Sequence, residues 1–465
     1  MVFSSIPFIF RFLPVVLAAY YIVPAKLKNA VLFVSSMVFY AWGEPKFALV
    51  MLGAIAQGYI FGILIEKSDR RKAKFYLALS VCISLAVLGV CKYADFFIGN
   101  FALLTGVHVK YLNIALPIGI SFYTFQLVSY VADVYRGDVP AQRSFVNLGA
   151  YIAMFPQLIA GPIVRYSDIR TQLTGRSHTL DKFALGLRRF TFGVGKKVIF
   201  ANSLGLLCET FKGSSDKSVL FFWLYAVAYT LQVYFDFSGY SDMAIGLAKL
   251  FGFELSENFD HPYASSSVTE FWRRWHISLG TWFRDYVYIP LGGNRVSRAK
   301  WIRNIFVVWF CTGFWHGAAW NFIAWGLFFG VLLAAEKLWF GKYIAKTRVL
   351  CHVYTLLAVT LSFVVFDSAN MKTAAQYILA MFGGGDYPLI SAEAVYYLKS
   401  YAMMLVISAL GSLPLAGNII SRLRENGRAE LVLNALEPFV LLAILVVSTA
   451  YLVDGSFNPF LYFRF

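Results

Sequence analysis

Long apolar runs recur along the chain from Phe3 to Leu461, and the polar stretches between them stay short. The runs cover residues 3–23, 30–42, 47–65, 76–98, 113–134, 190–211, 219–235, 305–315, 318–339, 349–366, 398–415 and 438–453. Most are long enough for a helix to cross a bilayer, which needs about 20 apolar residues. The first run has no basic segment ahead of it and carries Arg11 inside it, so it predicts a retained helix rather than a removed leader. Gly43-Glu44-Pro45 predicts a break between two helices.

Residues 148–164 are also apolar but contain Pro156, Gly161 and Pro162 and are followed by Arg165, Arg170 and Arg176. Irregular backbone at membrane depth must be buried in protein or line a cavity, so this stretch predicts a re-entrant segment. After the 219–235 run, a separate helix is expected over 241–251, with Ser238 and Ser241 as capping residues. Residues 254–303 interleave Trp272, Trp275, Trp282 and Trp301 with arginines and lysines, the composition of a segment at the membrane interface. The pattern predicts an all-α, polytopic membrane protein with roughly eleven to thirteen membrane helices and re-entrant segments, in a single domain over 1–465.

Composition removes the soluble alternative. Hydrophobic residues make up 59% of the 465 positions and charged residues 14%, too few to build a water-solvated surface. The net charge of +16 arises from 41 Lys+Arg against 25 Asp+Glu. The bases sit in short loops: Lys26 and Lys28, then Lys67 to Lys74, then Arg136 and Arg143, then Arg422, Arg424 and Arg428. That is the cytoplasmic bias of a membrane protein, not the continuous basic face of a nucleic-acid binder, and it leaves both termini outside. Five scattered cysteines with no C-x-x-C pair predict neither a disulfide framework nor a bound metal.

With six histidines in the chain, those in apolar surroundings stand out. His316 lies in Trp315-His316-Gly317-Ala318-Ala319-Trp320-Asn321, between two apolar runs, and an ionisable residue at membrane depth is a candidate functional residue. A neutral histidine packed between helices is the competing reading. His276 lies in Trp272-Arg273-Arg274-Trp275-His276-Ile277-Ser278, where an interfacial histidine would also be ordinary. Asp236, Ser238, Tyr240 and Asp242 form a polar island, open to two readings: lining a path for substrate, or helix capping and helix–helix hydrogen bonding.

Phe271 to Leu279, Trp282-Phe283-Arg284-Asp285-Tyr286, Pro290 to Arg295 and Trp315-His316-Gly317-Ala318 resemble the bacterial membrane-bound O-acyltransferase family. Within it, the similarity is to the branch of membrane subunits that serve O-acetylation of alginate and of peptidoglycan. Leu116 to Tyr123, Phe155 to Pro162 and Tyr234 to Asp242 carry the resemblance along nearly the whole chain. It implies that the helices surround a central tunnel, that His316 is the catalytic base and that His276 is a second signature position. It implies acetyl-CoA as the acyl donor, with no permanently bound cofactor, and Arg273, Arg274, Arg284 and Arg295 suit its phosphates. For any one of these arginines, topology and lipid headgroup contact are the competing account.

The resemblance also implies an extracytoplasmic acetyltransferase partner of serine-hydrolase type, an envelope polysaccharide as final acceptor, and a multi-pass place among the lipids of the bacterial inner (plasma) membrane. The aromatic C-terminus, Asn458 to Phe465, resembles the end of the small membrane peptide of teichoic-acid D-alanylation. Tyr462 is therefore a candidate acyl relay, with an interfacial aromatic anchor as the alternative. Two other functions compete: D-alanyl transfer to teichoic acid, and, from a different class, transport of a substrate past His316. The lack of internal repeats speaks against the transporter.

Overall fold

The computed structural model describes residues 2–158, 161–344 and 346–455. They form helices throughout. Among the described residues there is no β-strand, only an isolated antiparallel bridge between Phe259 and Trp275. Seven helices among the described residues are long and apolar enough to cross a membrane: Pro45–Lys67, Arg70–Thr105, Val219–Leu250, Trp320–Ile344, Val349–Asp367, Ala392–Gly411 and Gly427–Asp454. A shorter apolar helix covers Phe8–Ile22. Helices are the form that satisfies every backbone N–H and C=O inside hydrocarbon, and the all-α polytopic class follows.

Contacts divide the chain into two compact units, Met1–Phe190 with Ser241–Glu257, and Thr191–Tyr240 with Asn258–Phe465. In the first, the expected break falls at Glu44: Lys28–Gly43 ends there, and Pro45 opens the next helix at a position where its missing N–H costs nothing. Ile120–Arg136 begins later than the apolar run predicted, behind Gly119 at φ +74°, because residues ahead of it are held as loop. Asp95 accepts the backbone N–H groups of Leu112 and Asn113 at 2.7 and 2.9 Å. The 148–164 run breaks into Phe145–Ala153 and Phe155–Leu158, both too short to cross, in keeping with a re-entrant segment.

The expectation of a separate helix capped at Ser241 is corrected: Val219–Leu250 runs unbroken through the polar island. In the second unit Asp236 pairs with Lys197 at 2.5 Å, both side chains almost wholly buried, so the carboxylate is satisfied without ending the helix. Gly239 permits the approach. A Cβ there would stand 2.9 Å from the Gly193 carbonyl oxygen, on the segment that leads into Lys197.

The second unit is organised around a hairpin of Arg298–His316 and Trp320–Ala335. Its helices cross at Gly313 and Gly326, where a Cβ on Gly326 would collide with the Trp309 carbonyl and one on Gly313 with the Phe322 carbonyl. Small residues at such crossings let backbones meet and maximise dispersion contact where no hydrophobic drive operates. Helix Arg348–Asp367 packs along the hairpin.

Candidate active site

The segment that carries His276 starts in the short helix Val268–Arg274. The Ser267 hydroxyl caps it by accepting the Glu270 N–H at 3.0 Å. Buried Glu336, brought from the far end of the hairpin, accepts the N–H groups of Val268 and Thr269 at 2.7 and 2.9 Å and the Thr269 hydroxyl at 2.5 Å. A carboxylate is favoured at a helix N-terminus, where N–H groups lack partners within the helix. Glu270 accepts the N–H and hydroxyl of Ser266 and pairs with Arg274 at 2.8 Å. Burial alone would raise the Glu270 carboxyl, but these contacts hold it below its usual range. Trp272 packs against Trp309, Phe329 and Trp325, with ring centroids 4.7, 4.9 and 5.6 Å away.

The helix stops at Trp275, where the chain pairs with residues 258–260. Asp260 N–H donates to the Arg274 carbonyl at 2.9 Å, and Ile277 N–H to the Asn258 carbonyl at 3.0 Å. Between these bonds His276 takes φ +46°, a left-handed conformation that costs a non-glycine residue energy and persists where surrounding structure enforces it.

Its side chain is 1% exposed. Nδ1 lies 3.2 Å from Asn258 Oδ1, and that same oxygen accepts the Ser278 N–H at 3.2 Å and the Ser278 hydroxyl at 2.8 Å. A backbone N–H can only donate, which fixes the Asn258 amide with its oxygen inward, and His276 must then carry its proton on Nδ1. The basic lone pair is left on Nε2, which is buried and has no hydrogen-bond partner among the described residues. Burial pushes the imidazole down from 6.5 to about 3, so it is neutral at physiological pH. The Phe237 ring meets it edge-on at 4.7 Å.

His316 is the last residue of Arg298–His316 and is 7% exposed. Gly317 ends the helix and lacks the Cβ that would strike the Phe322 ring packed against it. The imidazole sits among Trp315, Trp325 and Phe366, with ring centroids 4.9, 5.0 and 5.4 Å away. Phe366 is held in turn by Asn321, whose amide donates to the Ser368 carbonyl at 3.0 Å and so ties the loop after His316 to the end of Arg348–Asp367. The Trp315 indole borders both histidines, its centroid 6.1 Å from that of His276.

The structure thus brings His276 and His316 to one aromatic-walled centre. The four arginines divide. Arg274 pairs with Glu270 and faces Asp260 at 3.7 Å, and Arg284 pairs with Asp285 at 2.7 Å. Arg273 and Arg295 are exposed and form no ion pair among the described residues. Tyr462 lies outside the described residues. The polar island splits between roles, Asp236 pairing with Lys197 and Asp242 with Arg189 at 2.9 Å. No group of three or more candidate metal ligands occurs among the described residues.

Asn258, Asn321 and Glu336 escape a reading of the sequence as site residues, and so does Lys197. Asn321 carried the best signal, since it closes the same motif as His316. Asn258 and Glu336 act over 18 and 68 residues of separation, which no local pattern reveals.

Residues 140–367, which include both histidines, match the family described as MBOAT, membrane-bound O-acyltransferase family. The chain is 41% identical to the probable alginate O-acetylase AlgI of Azotobacter vinelandii, with 100% of each chain covered. It is 33% identical to the peptidoglycan O-acetyltransferase of Helicobacter pylori, over 86% of this chain and 83% of that one. It is 29% identical to the teichoic acid D-alanyltransferase of Bacillus subtilis, over 55% of this chain and 69% of that one.

Proposed function

The chain belongs to the membrane-bound O-acyltransferase family, and from that premise we propose that it takes acetyl from cytoplasmic acetyl-CoA for O-acetylation of an envelope polysaccharide outside, alginate-like or peptidoglycan. It is an O-acyltransferase and a multi-pass membrane protein. The bacterial inner (plasma) membrane is its proposed place, and a single membrane-bound O-acyltransferase domain over 1–465 is its proposed organisation. The observation that carries the reading is the pair of buried imidazoles that both border Trp315.

His316 is the proposed general base. It removes the proton from an acceptor hydroxyl while that oxygen attacks the acetyl carbonyl carbon, forming the tetrahedral intermediate. Collapse breaks the carbon–sulfur bond, and the imidazolium returns its proton to the departing thiolate. The products are the acetyl ester and free coenzyme A. His276, held neutral with Nε2 as an acceptor, is the proposed positioning residue beside Trp315. Arg273, Arg274, Arg284 and Arg295 are the proposed partners of the donor's phosphates, Arg273 and Arg295 the readier two because carboxylates occupy the others. No cofactor is held permanently. Tyr462 is the proposed relay, its hydroxyl receiving acetyl before an extracytoplasmic acetyltransferase of serine-hydrolase type moves it to polymer.

Purified protein incubated with radiolabelled acetyl-CoA tests this. Label on the wild-type chain that is lost in both His316→Ala and Tyr462→Phe supports base and relay together. Label lost in His316→Ala alone keeps the enzyme and removes the relay. D-alanyl transfer is the second reading, favoured by the similarity to the D-alanyltransferase; full-length coverage against the alginate O-acetylase favours acetyl. No donor turnover with acetyl-CoA, even with the partner supplied, would make D-alanyl transfer or transport the reading to pursue.

A further inference from the structure

In the first unit, three cationic or basic side chains converge on one tyrosine. The Tyr20 hydroxyl donates to the Phe251 carbonyl at 2.8 Å. Its oxygen receives Arg176 Nε–H at 2.9 Å and lies within hydrogen-bond distance of His178 Nε2, at 2.8 Å. Lys28 Nζ lies 4.8 and 5.0 Å over the Tyr20 and Tyr21 rings. Arg176 also donates from Nη1 to Asn29 at 2.8 Å and to the Gln172 carbonyl at 3.1 Å, yet its Nη2 is buried and has no acceptor among the described residues.

None of Lys28, Arg176 and His178 pairs with a carboxylate among the described residues. The nearby Glu254 is committed to Lys182 at 2.9 Å. Burial, and then the Lys28 and Arg176 charges, push His178 below its usual value. Like charges gathered without a counter-charge repel one another, and a bound anion removes that cost.

Beside this cluster runs an apolar groove of about 730 Å³ between helices Leu13–Ile22 and Lys28–Gly43. Its lining includes Val15, Val34, Val38 and Trp42, all exposed, and ends at Val23 and Leu27, with Lys28 next in the chain. From Val23 back to Arg11 at the other end, a helix rising ~1.5 Å per residue covers about 18 Å, the reach of one extended acyl chain and of one leaflet.

We propose that this face is a binding site for one anionic phospholipid, its phosphate held by Lys28 and Arg176 and one acyl chain laid along the groove. Lys28, half-buried and on a flexible stem, turns from the tyrosine rings onto the phosphate, and that movement opens Arg176 Nη2 to the second phosphate oxygen. The basic loop holding Lys26 and Lys28 sets the lipid in the cytoplasmic leaflet.

The test uses full-length protein reconstituted in phosphatidylcholine with and without phosphatidylglycerol, with lipid retained on the purified chain counted by native mass spectrometry. Wild type is expected to keep one phosphatidylglycerol through delipidation. Lys28→Gln should weaken retention by about fivefold, the equivalent of ~1 kcal/mol per basic residue at an anionic surface. Arg176→Gln should weaken it further, and Val34→Trp, which fills the groove without touching the cations, should also lose the lipid. Monodispersity on sizing confirms that each variant folds; Lys28 makes no hydrogen bond that folding depends on, so Lys28→Gln keeps the test open if Arg176→Gln fails. Retention equal to that of wild type in Lys28→Gln and Val34→Trp overturns the proposal. So does loss in Arg11→Ala alone, which would place the headgroup at the opposite end, or displacement of the lipid by coenzyme A or inorganic phosphate, which would make this a site for a soluble phosphate.

Discussion

His276 and His316 border the same indole but are held by opposite means. Around His276 the work is polar: a strained backbone, an asparagine that dictates the tautomer, and a carboxylate, Glu336, that anchors the preceding helix from far away in the sequence. Around His316 it is shape: a helix end, a glycine crossing and a wall of rings. Hydrogen bonds specify which atom of an imidazole is available, and packing specifies where a ring sits. In the proposed mechanism His316 gains and loses a proton in each cycle while His276 stays neutral.

The sharpest way to break that comparison is to remove the rings in turn. If His316 is the proposed base, His316→Ala should lower acetyl transfer roughly 100- to 10,000-fold, the usual worth of a general base. Equal losses in kcat from His276→Ala and His316→Ala would erase the distinction between them. Next comes the glycine crossing. Gly326→Val drives a side chain into the Trp309 carbonyl, and we expect a stability loss of about 1–3 kcal/mol by thermal unfolding, with activity falling in parallel because His316 shifts with its helix.

Asn258→Ala leaves a buried Nδ1–H without its acceptor and should cost about 1–3 kcal/mol of transition-state stabilisation, read in kcat rather than KM. Asn258→Asp keeps the acceptor but adds a charge that favours the imidazolium. Its activity should therefore be lost at lower pH and recover as pH rises, while the Asn258→Ala defect stays flat across pH.

The smallest effect concerns stability in acid. His276 takes a proton below 6.5 when unfolded but only near 3 when folded, so between those values the unfolded chain binds more protons. Its contribution is complete above 6.5 and is lost progressively as pH falls toward 3. Melting temperatures of wild type and His276→Gln should therefore converge on acidification through that window, with a slope difference of about one proton.

Much of this was legible in the chain. Apolar runs delimited by lysines and arginines gave helices, and the Gly43-Glu44-Pro45 break appeared where it was read, because burial and backbone chemistry act locally. His316 stands out because a histidine between two apolar runs is conspicuous, and the structure places it buried beside Trp315. Ser238 and Ser241 misled, since serine caps a helix only where the helix needs an end, and Asp236 had already found Lys197. The polar frame around His276 was illegible for a different reason. Asn258 and Glu336 mean nothing until the fold sets them beside their partners.

The buried Lys197–Asp236 pair has a consequence for how the protein is made. A lysine left alone at the centre of a membrane helix costs about 2.5–3.5 kcal/mol, and an aspartate costs much the same. During synthesis Lys197 emerges first, so its segment gains little by entering lipid before Asp236 follows. We expect the two segments to leave the insertion machinery together, as one hairpin rather than as two successive helices.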